Sequence, residues 1–135
     1  MSGRVTGIGG VFFKCRDVEA TKAWYREALG VPMEDAYGAA FAYPDRDSSG
    51  GGYAVLGPFA SRTRYFEPSD RGFMINLRVD GLDALLARID AIGATRVGEV
   101  ESHEFGRFAW VLDPEGVKIE LWEPSGVLPE GLVTD

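Results

Sequence analysis

The chain carries one cysteine, Cys15, and one histidine, His103. A lone thiol closes no intrachain disulfide, which suits a reducing compartment and sets the expectation of a cytoplasmic protein. With Cys15 read as a small core residue, catalytic-triad chemistry has no partnered nucleophile to offer. Basic residues are in deficit, 14 against 21 acidic, for a net charge of −7. That excludes the positive footprint a nucleic-acid partner requires. It would favour a cationic ligand, although net charge is first of all an argument about solubility. No apolar run approaches the ~20 residues needed to cross a bilayer. The opening Met1-Ser2-Gly3-Arg4-Val5 has no apolar leader, so no membrane or secretory role is expected.

What is present suits one globular domain. At 135 residues, 45% hydrophobic and 26% charged, the chain is long enough to bury a core. Val5 to Arg16 reads as a strand. Asp17 stands at a helix N-cap, a helix runs through Trp24 and Ala28, and Gly30 with Pro32 stops it. Strands are expected at Val31–Tyr37, Ala39–Tyr43 and Tyr53–Gly57, with a glycine-rich loop before the last. After a connector over 58–72 the plan repeats. A strand is expected at Phe73–Val79, and Leu82, Leu85, Leu86 and Ile89 space a helix that Gly93 closes. Further strands are expected at Thr95–Ser102, Gly106–Leu112 and Val117–Trp122, the last two joined by the turn Asp113-Pro114-Glu115-Gly116. A tail over 123–135 is read as extended. Displacing the sequence by 63 lays Asp17 on Asp80, and by 65 lays Gly51–Leu56 on Gly116–Leu121. The expected architecture is therefore α+β: a single domain, 1–135, of two βαβββ modules at about 5–57 and 73–122, with one curved mixed sheet around a concave pocket and the helices outside.

Period-two alternation assigns the faces. Val11, Phe13, Phe73, Ile75, Leu77, Val79, Val117, Ile119 and Leu121 should lie under the helices. The opposite surface then carries Phe12, Lys14, Tyr53, Val55, Met74, Asn76, Arg78, Lys118, Glu120 and Trp122. Aromatic bodies with a few charged groups line ligand pockets, whereas a solvated sheet face would not expose so many large apolar groups. Met74, Asn76, Glu120 and Trp122 are expected to share one cavity. The connector, with Phe59, Tyr65 and Phe66, is expected to close over that pocket or over a partner chain, its three rings removable with little loss of fold.

Phe12-Phe13-Lys14-Cys15-Arg16-Asp17, then Trp24-Tyr25 and Leu29-Gly30, resemble the opening strand and helix of the vicinal oxygen chelate superfamily, which includes glyoxalases, bleomycin-resistance proteins and extradiol dioxygenases. Asp113-Pro114-Glu115-Gly116-Val117-Lys118-Ile119-Glu120-Leu121 resembles its closing hairpin. In metal-dependent members, the resemblance implies, four inward positions hold a divalent cation through His and Glu. Here they fall on Gly10, Val55, Met74 and Glu120, of which only Glu120 could ligate a hard cation. No cofactor is therefore expected, although a divalent metal on other ligands, such as His103, Glu104 and Glu120, stays open.

Glu120 keeps three readings: ion-pair partner of Lys118 or Arg78, hydrogen-bond acceptor for a ligand, or general base. His103 is either a ligand contact or general base, or a surface residue. The leading functional expectation is a metal-independent small-molecule-binding protein of the bleomycin-resistance type. Its ligand-binding candidates are Phe12, Tyr53, Met74, Asn76, Arg78, Trp122 and His103, and the resemblance implies a homodimer. The alternative is a lyase-, isomerase- or dioxygenase-type enzyme using Glu120 as acid or base, or within a non-standard metal site.

Overall fold

A computed structural model describes residues 3–43 and 52–134 of the chain. The first strand, β1 (Arg4–Cys15), leads into helix α1 (Val18–Leu29), and β2 (Ala39–Ala42) and β3 (Tyr53–Ala60) complete the first module. The second comprises β4 (Phe73–Asp80), α2 (Leu82–Ala91), β5 (Glu101–His103), β6 (Gly106–Leu112) and β7 (Lys118–Pro124). The strands form one sheet in the order β2-β3-β1-β4-β7-β6-β5. Each module carries one parallel pair, β1 with β3 and β4 with β7, joined across its helix. The modules meet where β1 and β4 run antiparallel, so the sheet is mixed and its halves are related about that seam. The expected α+β architecture is the observed one.

Local chemistry sets the helix ends. The Asp17 carboxylate accepts from the Ala20 backbone N–H, and Gly30, at φ 69°, turns the chain out of α1 in the left-handed conformation. No side chain in sequence caps α2; instead Glu123 on β7 accepts from the Leu82 N–H at 2.9 Å. The closing hairpin is held by Asp113, whose Oδ1 accepts from the N–H groups of Glu115 and Val117, with Gly116 at φ 79°.

Two expected strands differ. Val31–Tyr37 is irregular: Lys22 donates to the carbonyls of Glu34 and Asp35, and Arg26 to that of Met33. Side chains of α1 thus take the acceptors a neighbouring strand would have used. Thr95–Ser102 is broken by Gly98 at φ 72°; its first part bridges β6 at Arg96–Val111, and only Glu101–His103 continues as strand. The tail is not simply extended either. It folds back so that Val133 exchanges backbone hydrogen bonds with Ala40 and Ala42, and Leu132 joins a cluster with Ala40, Tyr53 and Trp122. The glycine-rich loop lies, except for Gly52, outside the described residues.

One side of the sheet packs on α2, where Val79, Leu82, Leu85, Leu86, Ala109 and Leu121 form a core joined by Leu77 and Ile119. Coverage is incomplete at the seam. Ile8 and Val11 on β1 are 50% and 42% exposed and Phe73 on β4 is 36% exposed, because each helix covers its own module and neither reaches the middle. Irregularities between Val5 and Gly7 and between Ile8 and Gly10 keep turning β1 apolar residues to this side.

Candidate functional site

The concave side encloses a cavity of about 620 Å³. Trp122 forms its back wall, with Tyr53 edge-on at 5.0 Å and Phe108 stacked at 6.2 Å between ring centroids. The indole N–H is used internally, donating to the Phe105 carbonyl at 2.9 Å, so Trp122 presents only ring surface. Phe12 and Val55 line the first module's side, and Asn76 and Glu120 form the floor. Tyr37 and Glu34 border it from the segment before β2, and Pro129 and Glu130 from the returning tail.

Burial, reinforced by the nearby carboxylates of Glu34 and Glu130, pushes the Tyr37 phenol above its ordinary range. Burial pushes Tyr53 up to about 12, with Tyr37 adding to the shift and Arg78 opposing it. Both phenols therefore stay protonated at neutral pH; that of Tyr37 donates to the Glu130 carbonyl at 2.6 Å.

Glu120 is buried and held at both oxygens. Oε1 accepts from Asn76 Nδ2 at 2.6 Å; Oε2 accepts from Trp110 Nε1 at 2.9 Å and from the Tyr65 hydroxyl. Burial, then the charge of Glu120 and the hydrogen bond to it, holds the Tyr65 phenol well above its usual value. Asn76 Oδ1 is buried and has no hydrogen-bond partner among the described residues. It faces Gly9, where an added Cβ would come within 2.1 Å of it.

Of the eight candidate residues, Phe12, Tyr53, Asn76, Glu120 and Trp122 line this cavity. Three do not. Met74 is on the concave side but buried beneath the connector with Phe66 and Trp110, so it does not share the cavity with Asn76, Glu120 and Trp122. Arg78 is buried on the same side, and its guanidinium turns to Gly52 and lies 5.6 Å from the Tyr43 ring centre. His103 is exposed on β5 and pairs with Glu101 at 2.9 Å.

The connector does fold onto the concave side, but as core more than as lid. Phe66 is fully buried, and Phe59 packs on it with a centroid separation of 5.3 Å. Lys118 donates to the Tyr65 carbonyl and lies 5.8 Å from the Trp110 ring centre. Burial, opposed by nearby acids, lowers its pKa.

Alternation pointed to the strand residues. It could also have found Phe108 and Trp110, because the hairpin pairs them with Trp122 and Glu120. The sequence marks Tyr65 only as one of the connector's rings, without its bond to Glu120, and nothing local marks Glu34 or Glu130, which arrive from irregular segments.

The family's metal positions can be read from the strand pairing. Gly10 stands beside Val55 in one parallel pair, Asn76 beside Glu120 in the other, and Gly10 opposite Asn76 across the seam. The third position is therefore Asn76 rather than Met74. Gly10 and Val55 offer no donor, and both Glu120 oxygens already accept from N–H and O–H groups. These residues do not fit a divalent ion. Among the described residues no group of three His, Cys, Asp or Glu side chains is placed to hold one, so His103, Glu104 and Glu120 form no site.

The family model described as a glyoxalase-like domain matches residues 10–122. The chain belongs to this family. No curated protein matches it. Among solved structures, a methylmalonyl-CoA epimerase from Mycobacterium tuberculosis superposes with a TM-score of 0.59 at 22% identity, covering 90% of this chain and 89% of that one. The Streptomyces coelicolor methylmalonyl-CoA epimerase gives 0.63 at 20%, covering 90% and 99%. A glyoxalase/bleomycin resistance protein/dioxygenase superfamily member from Vibrio splendidus gives 0.57 at 17%, covering 90% and 99%. At these identities the glyoxalase-like domain shares a fold with its neighbours, and the chemistry is not carried across. No described helix is long and apolar enough to cross a membrane.

Proposed function

We propose that this glyoxalase-like protein binds an organic small molecule in the cavity against Trp122, without a metal ion and without turning it over. The observation that carries this reading is the state of Glu120. A general base needs a free lone pair aimed at substrate, and three donors leave this buried carboxylate at most one of its roughly four lone pairs. The surface toward the cavity is mainly ring surface from Phe12, Tyr53, Phe108 and Trp122, the lining of a binding site more than of a reaction centre. The enzyme reading, including an epimerase like those of the structural neighbours, would rest on that one remaining lone pair. The proposal extends to a cytoplasmic homodimer, with the apolar seam of β1 and β4 as the surface that a second copy would cover.

The test has two arms. Elemental analysis after chelator-free purification should find Ni, Zn, Mn and Fe far below stoichiometric; near-equimolar metal overturns the metal-independent reading. A small-molecule screen read by tryptophan emission should yield saturable ligands whose signal disappears in Trp122→Phe and which are recovered unchanged. A hit consumed with turnover that Glu120→Gln abolishes would favour the enzyme.

A further inference from the structure

The cavity's polar equipment is one-sided. Three carboxylates border it, Glu34, Glu120 and Glu130, and among the described residues no lysine or arginine lines it. The concave-side cations among the described residues make contacts outside its lining. Lys118 donates to the Tyr65 carbonyl, Lys14 lies 5.7 Å from the Phe66 ring centre, and Arg78 reaches toward Gly52 and Tyr43. The unpartnered buried atom at the floor, Asn76 Oδ1, is an acceptor too.

Resting on the binding reading above, we propose that the ligand of this cavity is an organic ammonium: a positively charged nitrogen on an apolar, aromatic-sized body. The ring faces of Trp122, Tyr53 and Phe108 that border the cavity attract a cation as well as an apolar body. Glu34 and Glu130 lie at the mouth, where they attract a cation and repel an anion. The Glu34 carboxylate is packed so closely on Gly131 that a Cβ there would come within 2.2 Å of it. Carboxylate or phosphate ligands would meet repulsion from these glutamates, and among the described residues no lysine or arginine lines the cavity to offset it.

The charge preference can be separated from binding itself with three probes of one hydrocarbon body: 2,2-diphenylethylammonium, 2,2-diphenylethanol and diphenylacetate. Titration calorimetry on the intact protein should rank the ammonium tightest, about tenfold over the alcohol, with the carboxylate weakest. In a Glu34→Gln/Glu130→Gln variant the ammonium should lose most of that margin while the alcohol binds as before. Equal binding of all three, or tighter binding of alcohol or carboxylate, overturns the cation preference and leaves the cavity reading standing. If none of the three binds, the cavity reading falls and the preference with it.

Discussion

Asn76 and Glu120 stand side by side in the parallel pairing of β4 with β7, and the amide of one donates to the carboxylate of the other at 2.6 Å. Trp110 and Tyr65 complete the shell of donors around that carboxylate. Replacing Glu120 by Gln puts an N–H₂ among groups that are themselves donors, so the fold should lose about 1–3 kcal/mol of stability. Urea unfolding measures it. A carboxylate kept only for catalysis would leave the unfolding midpoint unchanged.

The tyrosine shifts fix a sign for alkaline stability. Tyr65 and Tyr53 have folded-state values raised above the ordinary 10, chiefly by burial. Their contribution is complete below pH 10 and is lost as pH rises through the folded values, because the unfolded chain releases those protons first. Melting temperature should therefore fall above about pH 10. Lys118, lowered mainly by burial, acts in the opposite sense below its ordinary 10.5. Comparing Tyr65→Phe with the parent isolates the tyrosine: the variant starts less stable, and its alkaline slope should be shallower.

Gly9 is needed for room, with no positive φ to explain it. A Cβ there would sit 2.1 Å from Asn76 Oδ1 and 2.8 Å from a Trp122 ring carbon. Gly9→Ala should push Asn76 or Trp122 aside, costing about 1–3 kcal/mol and shifting tryptophan emission. Unchanged emission and stability would mean that this wall is loose.

Phe66 separates core from lid within the connector. It is fully buried against Met74 and Trp110, so Phe66→Ala should cost about 3–5 kcal/mol. The expectation that all three connector rings could be removed with little loss of fold is therefore not what the packing supports.

Period-two alternation placed Asn76, Glu120 and Trp122 on one side correctly because strand register is a local property that the apolar set opposite them enforces. It placed Met74 there as well, but could not say that Phe66, arriving from the connector, would cover it. The same limit hid the donors around Glu120. Tyr65 is 55 residues away in sequence, and its approach depends on how the connector packs. Val31–Tyr37 has strand-like composition, yet Lys22 and Arg26 had already claimed its carbonyls. Tertiary hydrogen bonds of this kind leave no periodic trace.

The open seam gives the last prediction. Ile8 pairs with Leu77 and Val11 with Ile75 across β1 and β4, and Ile8 and Val11 stay half exposed between the two helices. Single exposed apolar residues need no explanation, but a contiguous strip on a sheet face marks a surface that associates. If a second copy covers it, Ile8→Glu combined with Val11→Glu places four charges in the shared interface and should convert a dimer to a monomer in sedimentation equilibrium. Because both side chains are exposed within one chain, the isolated fold should change in stability by only about 0.5 kcal/mol per site. A parent protein that sediments as a monomer at high concentration would show that the strip stays uncovered.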